Sequence, residues 1–125
     1  MNSYGYQQYK QQSVNTMTSG EMLIVLYDEA LKRLSRSEIA LKDKDYVTFD
    51  ISIDRVSEII KYLNSTLDKS YAISAELKRL YDFFLFHLVR IKAGRNTKLI
   101  TEIRPLILNL RNSFKEADKI SIGKK

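Results

Sequence analysis

Apolar side chains recur every three or four residues along most of this 125-residue chain, which is the spacing of one face of an α-helix. The strictest example follows a 4-3-4-3-4 spacing through Phe49, Ile53, Val56, Ile60, Leu63 and Leu67. Such spacing is typical of the seam of a helical bundle. Alternation with a period of two, which would indicate β-strands, is not sustained anywhere in the sequence. The sequence therefore predicts an all-α protein.

The apolar stripes divide the chain into four predicted helices, at about residues 18–42, 46–68, 77–93 and from 96 onward. The connections between them are short and polar, and short connections force neighbouring helices to reverse direction. The predicted fold is an antiparallel four-helix bundle with a short N-terminal arm or helix. We predict a single domain over residues 1–125, with an arm at 1–17, the bundle at 18–118 and a mobile basic tail at 119–125.

Several predicted helix ends carry recognisable signals. The sequence Thr18-Ser19-Gly20-Glu21 fits a capping box for the first helix. Ser70 or Ser74 is a candidate cap for the third helix, and Gly94 is typical of its C-terminus. Pro105 lies inside the last apolar stripe and lacks the N–H that an interior helical residue donates, so we predict a kink or a restart there.

The third predicted helix carries apolar residues on almost all of its sides. Leu77, Leu80, Phe84, Leu88 and Ile91 share one side, whereas Phe83, Phe86 and Val89 lie on others. A helix of this kind has to be covered nearly all round. Its apolar run is shorter than the roughly 20 residues that span a bilayer, and charged residues interrupt it. We therefore expect a central bundle helix with more apolar surface than a small protein covers alone.

The first twelve residues are rich in Gln and Tyr, and Tyr6 and Tyr9 are one helical turn apart. One interpretation is an arm that docks on an apolar groove, and the other is a frayed tail. Neither the apolar core of a secretory signal nor a membrane helix is visible in the sequence, which favours a cytoplasmic protein.

Residues that carry chemistry are scarce. There is no Cys, His87 is the single histidine, and no Gly-rich phosphate loop is present. The Glu-x-x-His spacing of metal-binding bundles is also missing from the sequence. We therefore predict a binding protein without a catalytic site, a metal site or a cofactor.

The net charge of +6 is unevenly distributed. Residues 1–76 hold nine basic and eleven acidic side chains, whereas residues 77–125 hold twelve and four. A basic half is compatible with a nucleic-acid-binding bundle, although a solvated surface is the simpler interpretation. A structural homo-oligomer that buries the excess apolar surface against a second copy is a further alternative.

Two parts of the sequence carry a recognisable pattern. One runs from Tyr6-Gln7-Gln8-Tyr9 to Gln12-Ser13-Val14-Asn15-Thr16, and the other reads Glu21-Met22-Leu23-Ile24-Val25-Leu26-Tyr27-Asp28-Glu29-Ala30. Both resemble the flagellin export chaperones of the FliS family. Weaker matches are Ile59-Ile60-x-x-Leu63-x-x-x-Leu67-Asp68, Leu77-x-x-Leu80-Tyr81-Asp82 and Leu110-Arg111. The sequence departs from the family pattern at Gly20, where Pro is usual, at Phe114, where Trp is usual, and at Pro105.

This resemblance implies a cytoplasmic chaperone with an antiparallel helical bundle. Such chaperones bind the disordered C-terminal segment of flagellin, prevent its premature polymerisation and deliver it to the flagellar export apparatus. The resemblance implies no cofactor, no nucleic acid and no membrane insertion, and it leaves a monomer or homodimer and further flagellar partners open. By transfer from the family and from the apolar pattern, the predicted partner-binding residues are Tyr6, Tyr9, Val14, Leu23, Leu26, Tyr27, Ile59, Leu63, Tyr81 and Phe84.

Overall fold

The computed structural model describes residues 19–123, with side chains over residues 20–117, and this part of the chain is helical without any strand. The helices are α1 (Ser19–Lys42), α2 (Tyr46–Ser65), α3 (Ile73–Gly94) and α4 (Thr97–Gly123). The predicted all-α fold is therefore confirmed. The predicted N-terminal arm and the Thr18 hydroxyl of the capping box lie outside the described residues.

The four helices form a ring in which α1 packs against α2 and α4, and α3 packs closely against α2 and more sparsely against α4. Polar contacts between helices show their direction. Asp28 near the start of α1 pairs with Arg111 of α4, and Glu38 near the end of α1 pairs with Arg104. The two helices therefore run antiparallel. The α2–α3 contacts Asp54–Lys92 and Asn64–Asp82 follow the same antiparallel order.

The apolar core runs along the centre of the bundle. In α2 the predicted seam is confirmed, because its five positions within the helix are all buried: Phe49, Ile53, Val56, Ile60 and Leu63. In α4 the sequence pattern predicts an apolar stripe of Leu99, Ile103, Leu106, Leu110, Phe114 and Ala117, and this prediction was partly wrong. Ile100 and Ile107 are fully buried, whereas Leu106, which was assigned to the stripe, is more than a third exposed. The buried stripe of α4 is therefore rotated slightly from the one that the sequence pattern suggested.

The N-terminal cap of α3 differs from the prediction, whereas the helix ends at Gly94, as predicted. Its N-cap residue is Ala72, which makes no side-chain cap, and Ser74 lies inside the helix with Oγ donating to the Tyr71 carbonyl at 2.8 Å. The predicted cap by Ser70 or Ser74 was therefore wrong. The left-handed residue at the C-terminus is Arg95 (φ 50°) rather than Gly94, and its guanidinium lies 3.7 Å from the centre of the Tyr46 ring.

The last helix runs through Pro105 as one element. This excludes the restart, whereas the other predicted outcome, a kink at Pro105, stays a prediction. Asn96 stands before the first turn of this helix, where Oδ1 accepts a hydrogen bond from the Leu99 N–H at 3.3 Å. Because α4 ends at Gly123, residues 119–123 of the predicted tail belong to the helix backbone. Pro105 itself is exposed, which places its ring away from the core.

Candidate binding cleft

An open cleft of about 370 Å³ lies at the end of the bundle where α1 begins, α2 ends and α3 begins. Phe114 of α4 closes its fourth side. The residues around it are mostly apolar or aromatic: Met22, Leu23, Leu26, Tyr62, Leu63, Thr66, Leu67, Asp68, Tyr71, Ile73, Ser74, Leu77, Tyr81 and Phe114.

The connection between α2 and α3 forms one edge of the cleft. It covers residues 66–72 and is longer than the connections at 43–45 and 95–96. The Thr66 N–H donates to the Tyr62 and Leu63 carbonyls at 3.1 and 3.3 Å, which finishes α2. Asp68 Oδ1 then accepts hydrogen bonds from the Ser70 hydroxyl and N–H, at 2.6 and 2.9 Å, and these bonds lower the pKa of the Asp68 carboxyl. This turn fixes the path of the chain along the cleft.

Burial falls steadily from the bottom of the cleft to its edge. The floor consists of buried side chains, Leu63, Leu77 and Tyr81. The walls are half-buried: Leu23, Leu26, Leu67 and Phe114. At the rim, Tyr62, Ile73 and Tyr71 are 45%, 58% and 66% exposed. A closed apolar floor with exposed aromatic and aliphatic side chains around it suits a ligand that buries apolar groups.

Two buried tyrosines meet at the floor. The hydroxyls of Tyr27 on α1 and Tyr81 on α3 form a hydrogen bond between diagonally opposed helices. The Tyr27 ring also stacks on Phe114, with 5.7 Å between the ring centres. Burial is the main cause of a raised pKa for both phenols, and the hydrogen bond to Tyr81 raises the pKa of Tyr27 further. Both phenols therefore stay neutral at physiological pH.

Charge is sparse in the cleft. Asp68 is the one charged side chain among the described residues that surround it. The remaining polar groups are the hydroxyls of Thr66, Ser74 and the tyrosines. No cluster of His, Asp or Glu in residues 20–117 has the arrangement of a metal site. The cleft can therefore bind through apolar contact with a few hydrogen bonds.

The predicted binding residues fall into three groups. Leu23 and Leu26 lie on the cleft wall, and Leu63 and Tyr81 lie on its floor. Tyr27 is fully buried behind the floor, Phe84 is fully buried in the core, and Ile59 packs against the core away from the cleft. Tyr6, Tyr9 and Val14 are outside the described residues.

The sequence pattern missed the rim of the cleft. Tyr71 and Ile73 belong to the connection before α3 and its first turn, and Tyr62 flanks the α2 seam. A possible signal was the presence of large apolar side chains beside the polar turn Asp68-Lys69-Ser70. Phe114 was assigned to the apolar stripe of the last helix and noted as a departure from the family pattern, but it was not predicted as a binding residue, although it forms a wall of the cleft.

Comparison with known proteins places the chain in a family. The family model described as flagellar protein FliS matches residues 1–121. The chain belongs to the FliS family. It is 30% identical to the flagellar secretion chaperone FliS of Bacillus subtilis (strain 168) over 112 residues, which cover 90% of this chain and 84% of that protein.

A second relative of this FliS-family chain is the flagellar secretion chaperone FliSB of Pseudomonas aeruginosa PAO1. The two are 25% identical over 113 residues, covering 86% of this chain and 90% of the relative. Membership of a family with chaperone members implies a binding protein rather than an enzyme. Among the described residues, no helix is long and apolar enough to cross a bilayer.

Proposed function

We propose that this protein is a cytoplasmic export chaperone that binds the disordered C-terminal segment of flagellin, prevents its premature polymerisation and delivers it to the flagellar export apparatus. Family membership supports the role in flagellar secretion. The main structural support for binding through apolar contact is the cleft at the start of α1, which has a closed apolar floor and an exposed aromatic rim.

The cleft has the chemistry needed to hold part of an amphipathic chain. Leu23 and Leu26 offer half-buried apolar walls, and the aromatic rim adds surface that a ligand would cover. A segment that buries its apolar stripe against the bundle gains the hydrophobic contribution of both surfaces. Ordering of the segment offsets part of this gain, so binding remains reversible. A reversible complex suits a chaperone that must release its cargo for export.

The N-terminal residues have a role in this proposal because they join the bundle at Ser19, next to cleft residues Met22 and Leu23. Tyr6, Tyr9 and Val14 would then contact the cargo or the rim of the cleft. Leu23 and Leu26 would contact the cargo directly. Leu63 and Tyr81 would support its apolar groups from below, whereas buried Tyr27 and Phe84 would act by holding the floor and core in place.

We expect a flagellin C-terminal peptide to form a 1:1 complex with this protein and to gain helical structure on binding. Isothermal titration calorimetry measures the stoichiometry, and circular dichroism measures the helicity beyond the sum of the free components. A peptide of the same composition in scrambled order is the control, because it lacks the apolar stripe. Absence of heat and of added helicity at micromolar concentrations would contradict the proposal.

The combined substitution Tyr6→Ala and Tyr9→Ala tests the arm. We expect it to weaken flagellin-peptide binding by about tenfold, since each ring can bury apolar area in the complex. The melting temperature should stay within about 2 °C of wild type, because stability is expected to come from the bundle. A large loss of melting temperature with unchanged affinity would show instead that the two rings belong to the core.

A further inference from the structure

A second apolar surface lies on the outer side of α3. Arg79, Phe83, Phe86 and Arg90 are all exposed and follow a 4-3-4 spacing, so they form one stripe along the helix. We call these four residues the outer stripe. Phe86 is 62% exposed and Phe83 is 40% exposed, so the two rings form one adjoining apolar surface. None of the four lines the cleft.

The aromatic side chains of the outer stripe have defined neighbours. Phe83 meets the buried ring of Phe84 edge-on at 6.1 Å and the His87 ring at 4.1 Å, measured between ring centres. The Arg90 guanidinium lies 5.8 Å from the centre of the Phe86 ring. These contacts hold the two phenylalanines in place before any partner binds. Less ordering is then required when a partner does bind.

The charges of the outer stripe are unbalanced. Lys78 and Lys92, the basic residues of α3 outside the stripe, pair with Asp82 and Asp54 at 2.8 and 2.9 Å. Arg79 and Arg90 have no carboxylate of residues 20–117 within ion-pair distance.

The described side chains of α3 and α4 also carry more positive than negative charge. Residues 73–117 hold nine basic and four acidic side chains. Three of the basic ones, Lys92, Arg104 and Arg111, pair with carboxylates of α1 and α2, which offsets part of this excess. The outer stripe itself offers apolar surface between two positive charges that have no carboxylate partner among residues 20–117.

We propose that the outer stripe binds an acidic amphipathic helix of a partner protein. Apolar residues of that helix pack on Phe83 and Phe86, and carboxylates at both ends of its apolar face pair with Arg79 and Arg90. The two arginines are eleven residues apart, or about 16 Å along α3. The partner helix carries its carboxylates at a similar separation. The stripe and the cleft share no residue, so this inference does not depend on the flagellin proposal.

A charge-reversal experiment tests the pairing. The probe is a synthetic helical peptide with leucines along one face and glutamates eleven residues apart at the ends of that face. A second probe carries lysine in place of each glutamate. We expect the variant that combines Arg79→Glu with Arg90→Glu to bind the glutamate peptide at least tenfold more weakly than wild type does. The same variant should bind the lysine peptide at least tenfold more tightly than wild type does. The matched control is Arg36→Glu with Lys42→Glu on exposed positions of α1, which should change both affinities less than threefold.

Phe86→Ser tests the apolar part of the surface and should weaken binding of the glutamate peptide about tenfold. Val47→Ser, at a similarly exposed position of α2, should leave that binding unchanged.

The proposal is overturned if wild type binds the two peptides with equal affinity, or if charge reversal does not increase the affinity for the lysine peptide. Sedimentation that shows a wild-type dimer dissociated by the charge reversal assigns the stripe to a second copy and also overturns it. If deletion of residues 1–18 makes the glutamate peptide bind tenfold more tightly, the stripe is assigned to the chain's own N-terminus. This result also overturns the proposal. Circular dichroism of each variant confirms that it is folded.

Discussion

At the scale of single residues, the buried Tyr27 hydroxyl has the clearest energetic consequence. It bonds to Tyr81 across the centre of the bundle, and burial raises the pKa of Tyr27 well above its ordinary value of 10.0. The folded state therefore favours the neutral phenol more strongly than the unfolded chain does. This contribution to stability is complete below about pH 10 and is lost as the pH rises above it, because only the unfolded chain ionises readily.

We expect the free energy of unfolding to fall above pH 10 and Tyr27→Phe to make that fall less steep by up to about 1.4 kcal/mol per pH unit. At neutral pH the same substitution should cost about 1–3 kcal/mol, because it leaves the buried Tyr81 hydroxyl without its partner. Urea unfolding between pH 8 and 11 measures both effects. Tyr62→Phe at the exposed rim is the control and should keep the wild-type slope. Identical slopes for wild type and Tyr27→Phe would contradict the burial argument.

At the scale of elements, the clearest local loss of stability is in α4, where Pro105 lies inside the helix. Pro105 cannot donate a hydrogen bond to the preceding turn, yet the helix continues through it from Thr97 to Gly123. Packing of Ile100, Ile103 and Ile107 into the core accounts for this continuity, because their burial stabilises both halves of the helix. The exposed position of Pro105 leaves room for its ring without a clash in the core.

Pro105→Ala should therefore stabilise the protein by about 1–3 kcal/mol, since it restores a backbone donor and removes no core contact. Thermal and urea unfolding measure the change. Asn109→Ala, at another exposed position of α4, is the control for helix propensity alone and should contribute about 0.5 kcal/mol. Equal effects of the two substitutions would contradict this argument, because they would show that the missing backbone donor of Pro105 costs no stability of its own.

The elements also show what the sequence pattern could predict and what it could not. The α2 seam was predicted residue by residue because its 4-3-4 spacing is uninterrupted. The residues that cap α3 were not predicted, because Ala72 has no capping side chain and Arg95 adopts a left-handed conformation beside the Tyr46 ring. That contact joins residues 49 positions apart, and local sequence rules do not describe it. The burial of Ile107 in place of Leu106 depends likewise on how α4 is rotated against α1.

At the scale of the whole molecule, the bundle closes its core and still leaves apolar surface exposed, in the cleft and along the outer stripe among other positions of residues 20–117. Phe84 is completely covered, whereas its neighbours Phe83 and Phe86 are exposed, so the excess apolar surface of α3 lies on its outer side. The cleft is a separate feature built from all four helices. Leu23 and Leu26 were predicted from the first motif, but the rim depends on the path of residues 66–72, which sequence periodicity does not describe.

The arrangement of charge over the molecule bears on the nucleic-acid alternative. Four of the basic residues in α3 and α4 pair with carboxylates: Lys78, Lys92, Arg104 and Arg111. Two of these pairs join α1 to α4, and one joins α2 to α3. Much of the positive charge in α3 and α4 is therefore used in ion pairs, most of which hold neighbouring helices together. This arrangement favours a protein-binding surface over a continuous cationic track for phosphates.

The most direct test of the binding account compares two isoleucines of nearly equal exposure. Ile73 at the cleft rim is 58% exposed, and Ile51 on the outer face of α2 is 56% exposed. Calorimetric titration of a flagellin C-terminal peptide should show about tenfold weaker binding to Ile73→Ser and unchanged binding to Ile51→Ser. Wild-type affinity in both variants, or an equal loss in both, would contradict the assignment of the cleft as the binding site.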